Sequence, residues 1–249
     1  MGRQMGIHGR ARASLAVALG CAALWFSSAT AMLAGPIGLP AGLAAVVPAT
    51  TEPFGLAISG VVSGSLKDKW LELARRLEDE RVQLALCDGD RERCVSPAAL
   101  RFLAIVDQAR ARDGRARLGE INRAINLAIR PVSDLAQYGE IDVWSSPLST
   151  LRRGAGDCED YAIAKYVALR QAGIAADDLR ILIFRDTIRG EDHAVAAARL
   201  NGRWLLLDNR RMAMVEDADA RSLRPLFVID GSGIARYGER PQFANALLR

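Results

Sequence analysis

The chain has 249 residues, with 33 lysines and arginines against 29 aspartates and glutamates, four cysteines and two histidines. Residues 1–31 carry three arginines and no acid, and without them 30 basic residues face 29 acidic ones. Such a near-neutral remainder offers no electrostatic footprint for a nucleic-acid partner, and the roughly 185 residues from Leu66 onward suffice for one domain with its own core.

Arg3, Arg10 and Arg12 precede an uncharged apolar stretch over 13–26, and Ala29-Thr30-Ala31 resembles a small-residue cleavage site. This layout is that of a secretory signal peptide over 1–31. No charge occurs between Arg12 and Glu52, so a retained membrane anchor is the alternative, although Pro36 and Pro40 interrupt it. Lipid attachment at Cys21 fits poorly, because Leu19-Gly20 precedes it and apolar residues continue past it. With either the leader or the anchor, the basic start stays cytoplasmic and the remainder crosses the membrane, so a periplasmic location is expected.

Residues 32–65 are rich in Gly, Pro, Ala and Val without a clear period and read as a linker. The domain is expected over 66–249. Trp70, Leu73, Ala74, Leu77 and Leu84 mark an amphipathic helix over 66–86. Cys87 and Cys94 flank the polar loop that follows. In an exported protein that spacing reads as a disulfide, two free thiols being the alternative. Ser96-Pro97 caps a second helix, and a third runs over 118–129 until Pro131 stops it. Residues 131–153 read as an irregular segment whose aromatics suit the wall of a site. The stretch 157–172 is apolar almost all round, as a central helix is, and Gly173 ends it. The period then changes to two: strands are expected over 180–185, 193–200 and 203–208, with another over 223–230. Asn201-Gly202 between the second and third strands is a strong signal for a two-residue hairpin turn. Helices followed by an antiparallel sheet make an α+β domain.

Cys158 sits at the glycine-to-helix junction Gly154-Ala155-Gly156-Asp157-Cys158, and His193 is the one histidine beyond the leader. A hairpin turn at Asn201-Gly202 pairs Leu200 with Arg203. His193 and Asp208 then become diagonal neighbours on one face, roughly 7–8 Å apart along the backbone, a gap that the pair can bridge. A one-residue slip would put them on opposite faces. A helix N-terminus and an imidazolium favour a thiolate, and a carboxylate behind the imidazole fixes its tautomer. Cys158, His193 and Asp208 are therefore the candidate nucleophile, base and orienting acid of an enzyme that works through an acyl-enzyme. The backbone N–H of Cys158 is the candidate oxyanion donor.

Asp157, Glu159 and Asp160 set three negative charges around a sulfur that must itself become an anion. They read either as helix-start residues suited to the dipole or as ligands of a hard cation. Carboxylates without added His or Cys point to calcium before zinc, and Asp142 in the preceding loop is a further candidate ligand.

Asp142-Val143-Trp144, Gly156-Asp157-Cys158-Glu159-Asp160-Tyr161, Lys165-Tyr166, the His193 strand and Leu207-Asp208-Asn209 resemble the bacterial transglutaminase-like cysteine proteinases. The resemblance spans roughly residues 70–229. It implies a papain-like, transglutaminase-like core, the triad Cys158, His193 and Asp208, and calcium dependence through Asp157, Glu159 and Asp160. LapG-type members of the family are periplasmic proteases that release large surface adhesins under an inner-membrane cyclic di-GMP receptor, so an adhesin substrate and such a receptor are the partners implied. The expected function is a periplasmic, calcium-dependent cysteine endopeptidase. The alternatives are an acyltransferase or cross-linking enzyme with the same triad, and a non-catalytic calcium-dependent binding module.

Overall fold

The computed structural model describes residues 51–238. The leader, the anchor alternative and Cys21 lie outside the described residues. Among the described residues no helix is long and apolar enough to cross a membrane.

After the short strand β1 (Ile58–Val61) come three helices: α1 (Ser65–Gly89), α2 (Pro97–Arg110) and α3 (Gly114–Ala128). The Ser96 side chain caps α2 by accepting the Ala99 N–H, with Pro97 at the first helical position, where its missing N–H costs nothing. The Cys87–Cys94 disulfide closes the turn between α1 and α2. Ala99, Phe102, Leu103, Val106 and Ala109 of α2 are fully or almost fully buried, as are Leu118, Ile121 and Ile125 of α3.

The segment expected to be irregular contains two short helices, α4 (Asp134–Tyr138) and α5 (Pro147–Arg153). Local chemistry explains both. The Ser133 hydroxyl caps α4, Pro147 opens α5, and Gly139 and Gly154 end them in left-handed conformations that a side chain would resist. Too few residues are involved for a hydrophobic period to show. A two-residue parallel pair, β2 (Arg130–Pro131) with β3 (Ala155–Gly156), then leads into α6 (Cys158–Gln171).

The rest is a seven-stranded antiparallel sheet in the order β1-β9-β8-β4-β5-β6-β7. Its strands are β1 (Ile58–Val61), β4 (Leu179–Asp186), β5 (Glu191–Leu200), β6 (Arg203–Leu207), β7 (Val215–Glu216), β8 (Leu223–Asp230) and β9 (Gly233–Tyr237). Alternation gives each face its own core. Ile181, Ala194, Ala196, Ala198, Leu205 and Leu207 pack with the helices, and the alanines leave room for α6 to lie against β5. Leu182, Phe184, Val195, Ala197, Trp204, Leu206 and Val228 form a second cluster with Leu56 and Tyr237 on the other face.

Besides the small β2–β3 pair, three strands of the large sheet fall outside the expected set. Strand β1 lies in the stretch that reads as linker, yet it pairs with β9 along the sheet edge. The same stretch is fastened further along: Glu52 forms a 2.6 Å ion pair with Arg180, and the Trp204 indole N–H donates to the Thr51 carbonyl at 2.8 Å. Strands β1, β7 and β9 are short and carry Gly, Ser or charge within or beside them, so an alternating pattern has no length in which to appear.

Candidate active site

Helix α6 begins at Cys158, directly after the left-handed Gly154 and the short β3 strand. Gly156 is required here, since a Cβ at this position would stand 2.5 Å from Asp160 Oδ2. Asp157 occupies the N-cap position but makes no capping bond with its side chain. Cys158 is half-buried and is the one free thiol among the described residues. Its sulfur donates to Glu159 Oε2 at 2.8 Å, and the Ala194 backbone N–H is turned toward it. Burial first, and then the Glu159 charge, push the thiol far above its usual pKa, so in this arrangement it holds its proton.

The hairpin register is as the turn predicts: Leu200 lies opposite Arg203 and Ala196 opposite Leu207. Asp208 follows at once after β6, and its Oδ1 meets His193 Nε2 at 2.8 Å. The imidazole is 2% exposed and stands edge-on to Phe184, its partner across β4 and β5, with ring centroids 5.5 Å apart. His193 Nδ1 is buried without a hydrogen-bond partner. Burial works to raise the Asp208 pKa, but the His193 bond and charge, the Arg210 N–H and the Lys165 charge outweigh it, and the carboxyl lies below its ordinary value. The structure thus joins His193 to Asp208 and sets Cys158 against the residue next to His193. No hydrogen bond links Cys158 to His193.

The acids divide differently from the sequence expectation. Asp134, Asp157 and Asp160 converge, with one carboxylate oxygen from each lying within 4.8 Å of the others. Asp134 Oδ1, Asp157 Oδ1 and Asp160 Oδ2 are all buried and lack a hydrogen-bond partner. Their other contacts hold them in place: Asp134 Oδ2 accepts the Val143 N–H, and Asp160 Oδ1 accepts the Ser145 N–H at 2.8 Å. Burial, together with mutual repulsion and Glu159, pushes Asp157 up to about 9 and Asp160 up to about 7, and raises Asp134.

Glu159 and Asp142 stand outside this group. Glu159 turns to the thiol. Asp142 is exposed, pairs with Lys69 and accepts the Trp144 indole N–H at 2.9 Å, so its carboxylate is already engaged elsewhere. Asp134 is the member that the sequence did not reveal. It lies far from Cys158 in the chain and matches no ligand spacing; its one signal was membership of the segment expected to line the site. These orphaned oxygens are a set of hard donors of the kind that holds a calcium-sized cation.

Residues 83–221 match the model of the bacterial transglutaminase-like cysteine proteinases. The chain belongs to that family. Among solved structures, LapG of Legionella pneumophila superposes with a TM-score of 0.52 at 22% identity, covering 63% of this chain and 86% of its own. Its calcium-bound form gives 0.50 at 23% identity over 59% and 84% of the two chains. The EGTA-treated form gives 0.53 at 22% identity over 64% and 86%. At these identities the likeness establishes a shared α+β fold. No curated protein matches the chain. In a transglutaminase-like cysteine proteinase, a sulfur at a helix start and a buried His–Asp pair are the parts that thiol chemistry needs.

Proposed function

We propose that the protein is a periplasmic, calcium-dependent cysteine endopeptidase that cuts a specific protein substrate through Cys158, His193 and Asp208. The observation that carries this reading is the 2.8 Å His193–Asp208 bond, which leaves the second ring nitrogen without a partner beside a strand residue that faces the only described free thiol. Asp208 holds His193 through Nε2, so Nδ1 is the nitrogen available to take a proton. For reaction, Cys158 exchanges Glu159 for His193 Nδ1 as its hydrogen-bond partner and passes its proton there. The sulfur then attacks the scissile carbonyl, and the developing oxyanion receives the Cys158 backbone N–H at the start of α6. As the C–N bond breaks, His193 gives the proton to the leaving amine, and an acyl-enzyme remains. His193 next takes a proton from water, whose oxygen attacks the thioester and frees the second product with the thiol restored. Asp208 stabilises the imidazolium in both halves.

Asp134, Asp157 and Asp160 would hold the calcium, whose charge offsets the carboxylates that oppose thiolate formation. Three buried oxygens without partners support this fit, as does the existence of calcium-bound and EGTA-treated forms of the structurally similar LapG. Resemblance to LapG-type proteases extends the proposal to a large surface adhesin as substrate and to control by an inner-membrane cyclic di-GMP receptor.

The test is to incubate purified protein and its Cys158→Ala variant with surface proteins of a strain lacking the gene, and to map new N-termini by mass spectrometry. A discrete cut made by the wild type, absent with Cys158→Ala, lost in chelator and restored by calcium, is expected. Cutting by Cys158→Ala would remove the nucleophile assignment. Incorporation of an added amine without hydrolysis would turn the reading into acyl transfer.

A further inference from the structure

Lys165 is completely buried, one of the largest fully covered side chains among the described residues. It lies seven residues after Cys158 on α6, two turns along the same face. Its Nζ donates to the Leu207 carbonyl at 3.0 Å and stands 5.8 Å from the centroid of the Tyr161 ring. Leu207 is the last residue of β6 and Asp208 the next. An ammonium group removed from water with one carbonyl as its hydrogen-bond acceptor is a costly choice where an apolar side chain of similar length would fill the space. Its charge also acts on Asp208, and burial has brought Lys165 down to about 7 against the opposing pull of that carboxylate.

We infer that Lys165 is a positioning residue for the His193–Asp208 pair: it pins the Leu207 carbonyl so that the chain leaves β6 with the Asp208 carboxylate aimed at His193 Nε2, and it ties that geometry to the helix that carries the nucleophile. Asn126 Nδ2 holds the next carbonyl, that of Asp208, at 3.0 Å, and the Arg210 N–H holds Asp208 Oδ1 at 3.0 Å. The turn after β6 is thereby fixed from α3 and from its own backbone, while Lys165 is the contact that reaches it from α6. The inference rests on the proposed triad and adds a residue to it that touches neither substrate nor sulfur.

The test needs no substrate. The rate of Cys158 alkylation by iodoacetamide, followed by peptide mass analysis with calcium present, reads how readily the imidazole takes the thiol proton. Lys165→Met is expected to slow it about 10-fold, and Lys165→Arg, which keeps charge and donors, to recover much of the loss. In an Asp208→Asn background, Lys165→Met should change the rate less than about 2-fold, because a residue acting through Asp208 has nothing left to act through. The His193 ring N–H resonance should move in Lys165→Met and return in Lys165→Arg. A wild-type rate for Lys165→Met, or an undiminished loss in the Asp208→Asn background, overturns the inference. So does failure of both Lys165→Met and Lys165→Leu to give a cooperative melt, since Lys165 would then serve folding. An Asp208→Asn protein alkylated at the wild-type rate would instead take down the triad on which the inference stands.

Discussion

Raise the pH from about 5 to about 7 in the presence of a chelator, and the protein should lose stability, because its folded state keeps protons that its unfolded state releases. The unfolded aspartates ionise near their ordinary value of 3.8, whereas burial and mutual repulsion hold Asp157 up to about 9 and Asp160 up to about 7. A group raised in the folded state contributes stability that is complete below the unfolded pKa and falls as the pH climbs toward the folded one. Asp157 alone, as one retained proton, gives a slope of about 1.4 kcal/mol per pH unit, or ~3 kcal/mol over the window, and Asp160 acts in the same direction. Asp157 is half-buried, and solvent screening trims this to ~2 kcal/mol. For a domain of this size that amounts to a melting temperature lower by roughly 4–8 °C. Lys165 titrates with the opposite sign: it is lowered to about 7 from 10.5, so its unfolded form binds more protons and stability recovers above the window. Asp208, lowered, loses its contribution only in more acid solution. The measurement is a calorimetric melt at constant ionic strength in EGTA. Excess calcium should flatten the slope and add about 2.7 kcal/mol at a hundred times its Kd. Glu80 is also raised, chiefly by burial, and will leave a calcium-insensitive residue of the slope. A melting temperature that is flat or rises from pH 5 to 7 in EGTA would refute the reasoning, as would an unchanged slope in Asp157→Asn/Asp160→Asn.

Three further outcomes are expected. Asp208→Asn should lower kcat by on the order of 10⁴ while leaving the melting temperature close to wild type, as in serine triads; a loss below tenfold would deny it the orienting role. Glu159→Gln in chelator should speed Cys158 alkylation by iodoacetamide, since the thiol loses its charged acceptor and its nearest repelling charge; a slower rate would show that Glu159 activates the sulfur. Glu80→Ala should cost ~2 kcal/mol in denaturant titration, because the Ser146 hydroxyl and the Leu148 and Ser149 N–H groups lose their shared acceptor at the start of α5; an effect within 0.5 kcal/mol, roughly that of an ordinary surface substitution, would make that cap ornamental.

Features set by local rules could be read directly from the chain. Asn201 and Gly202 adopt the positive φ values of 52° and 79° that a tight hairpin demands, and the register of β5 against β6 follows from them. The start of α2 was legible in Ser96-Pro97, and the disulfide in the spacing of Cys87 and Cys94. Features set by tertiary contact were not. Asp134 and Asp157 come together because the chain reaches them from the paired strands β2 and β3, whose residues lie far apart in sequence, and no spacing encodes that approach. Asp142 looked like a ligand as an acid in the loop preceding the cysteine, yet Lys69, 73 residues away, takes its carboxylate. The Cys158 contact with Glu159, which the proposed reaction would exchange for His193, is equally invisible in a list of residues, because adjacency in sequence does not reveal which neighbour a side chain faces.

The order of the cysteines has a consequence for biogenesis. Under the proposed export, a chain threading N-terminus first into an oxidising compartment would deliver Cys87 and Cys94, seven residues apart, well before Cys158 emerges. Short loops close quickly, so the pair can cross-link while no third thiol is within reach. Delivered together, the three cysteines of the described region would allow three pairings, and two of them would consume the nucleophile. Once α6 has docked on the sheet, its sulfur is half covered, and the exchange reactions that could undo the sorting are slowed by restricted access. Vectorial synthesis and burial together would leave the thiol of Cys158 intact.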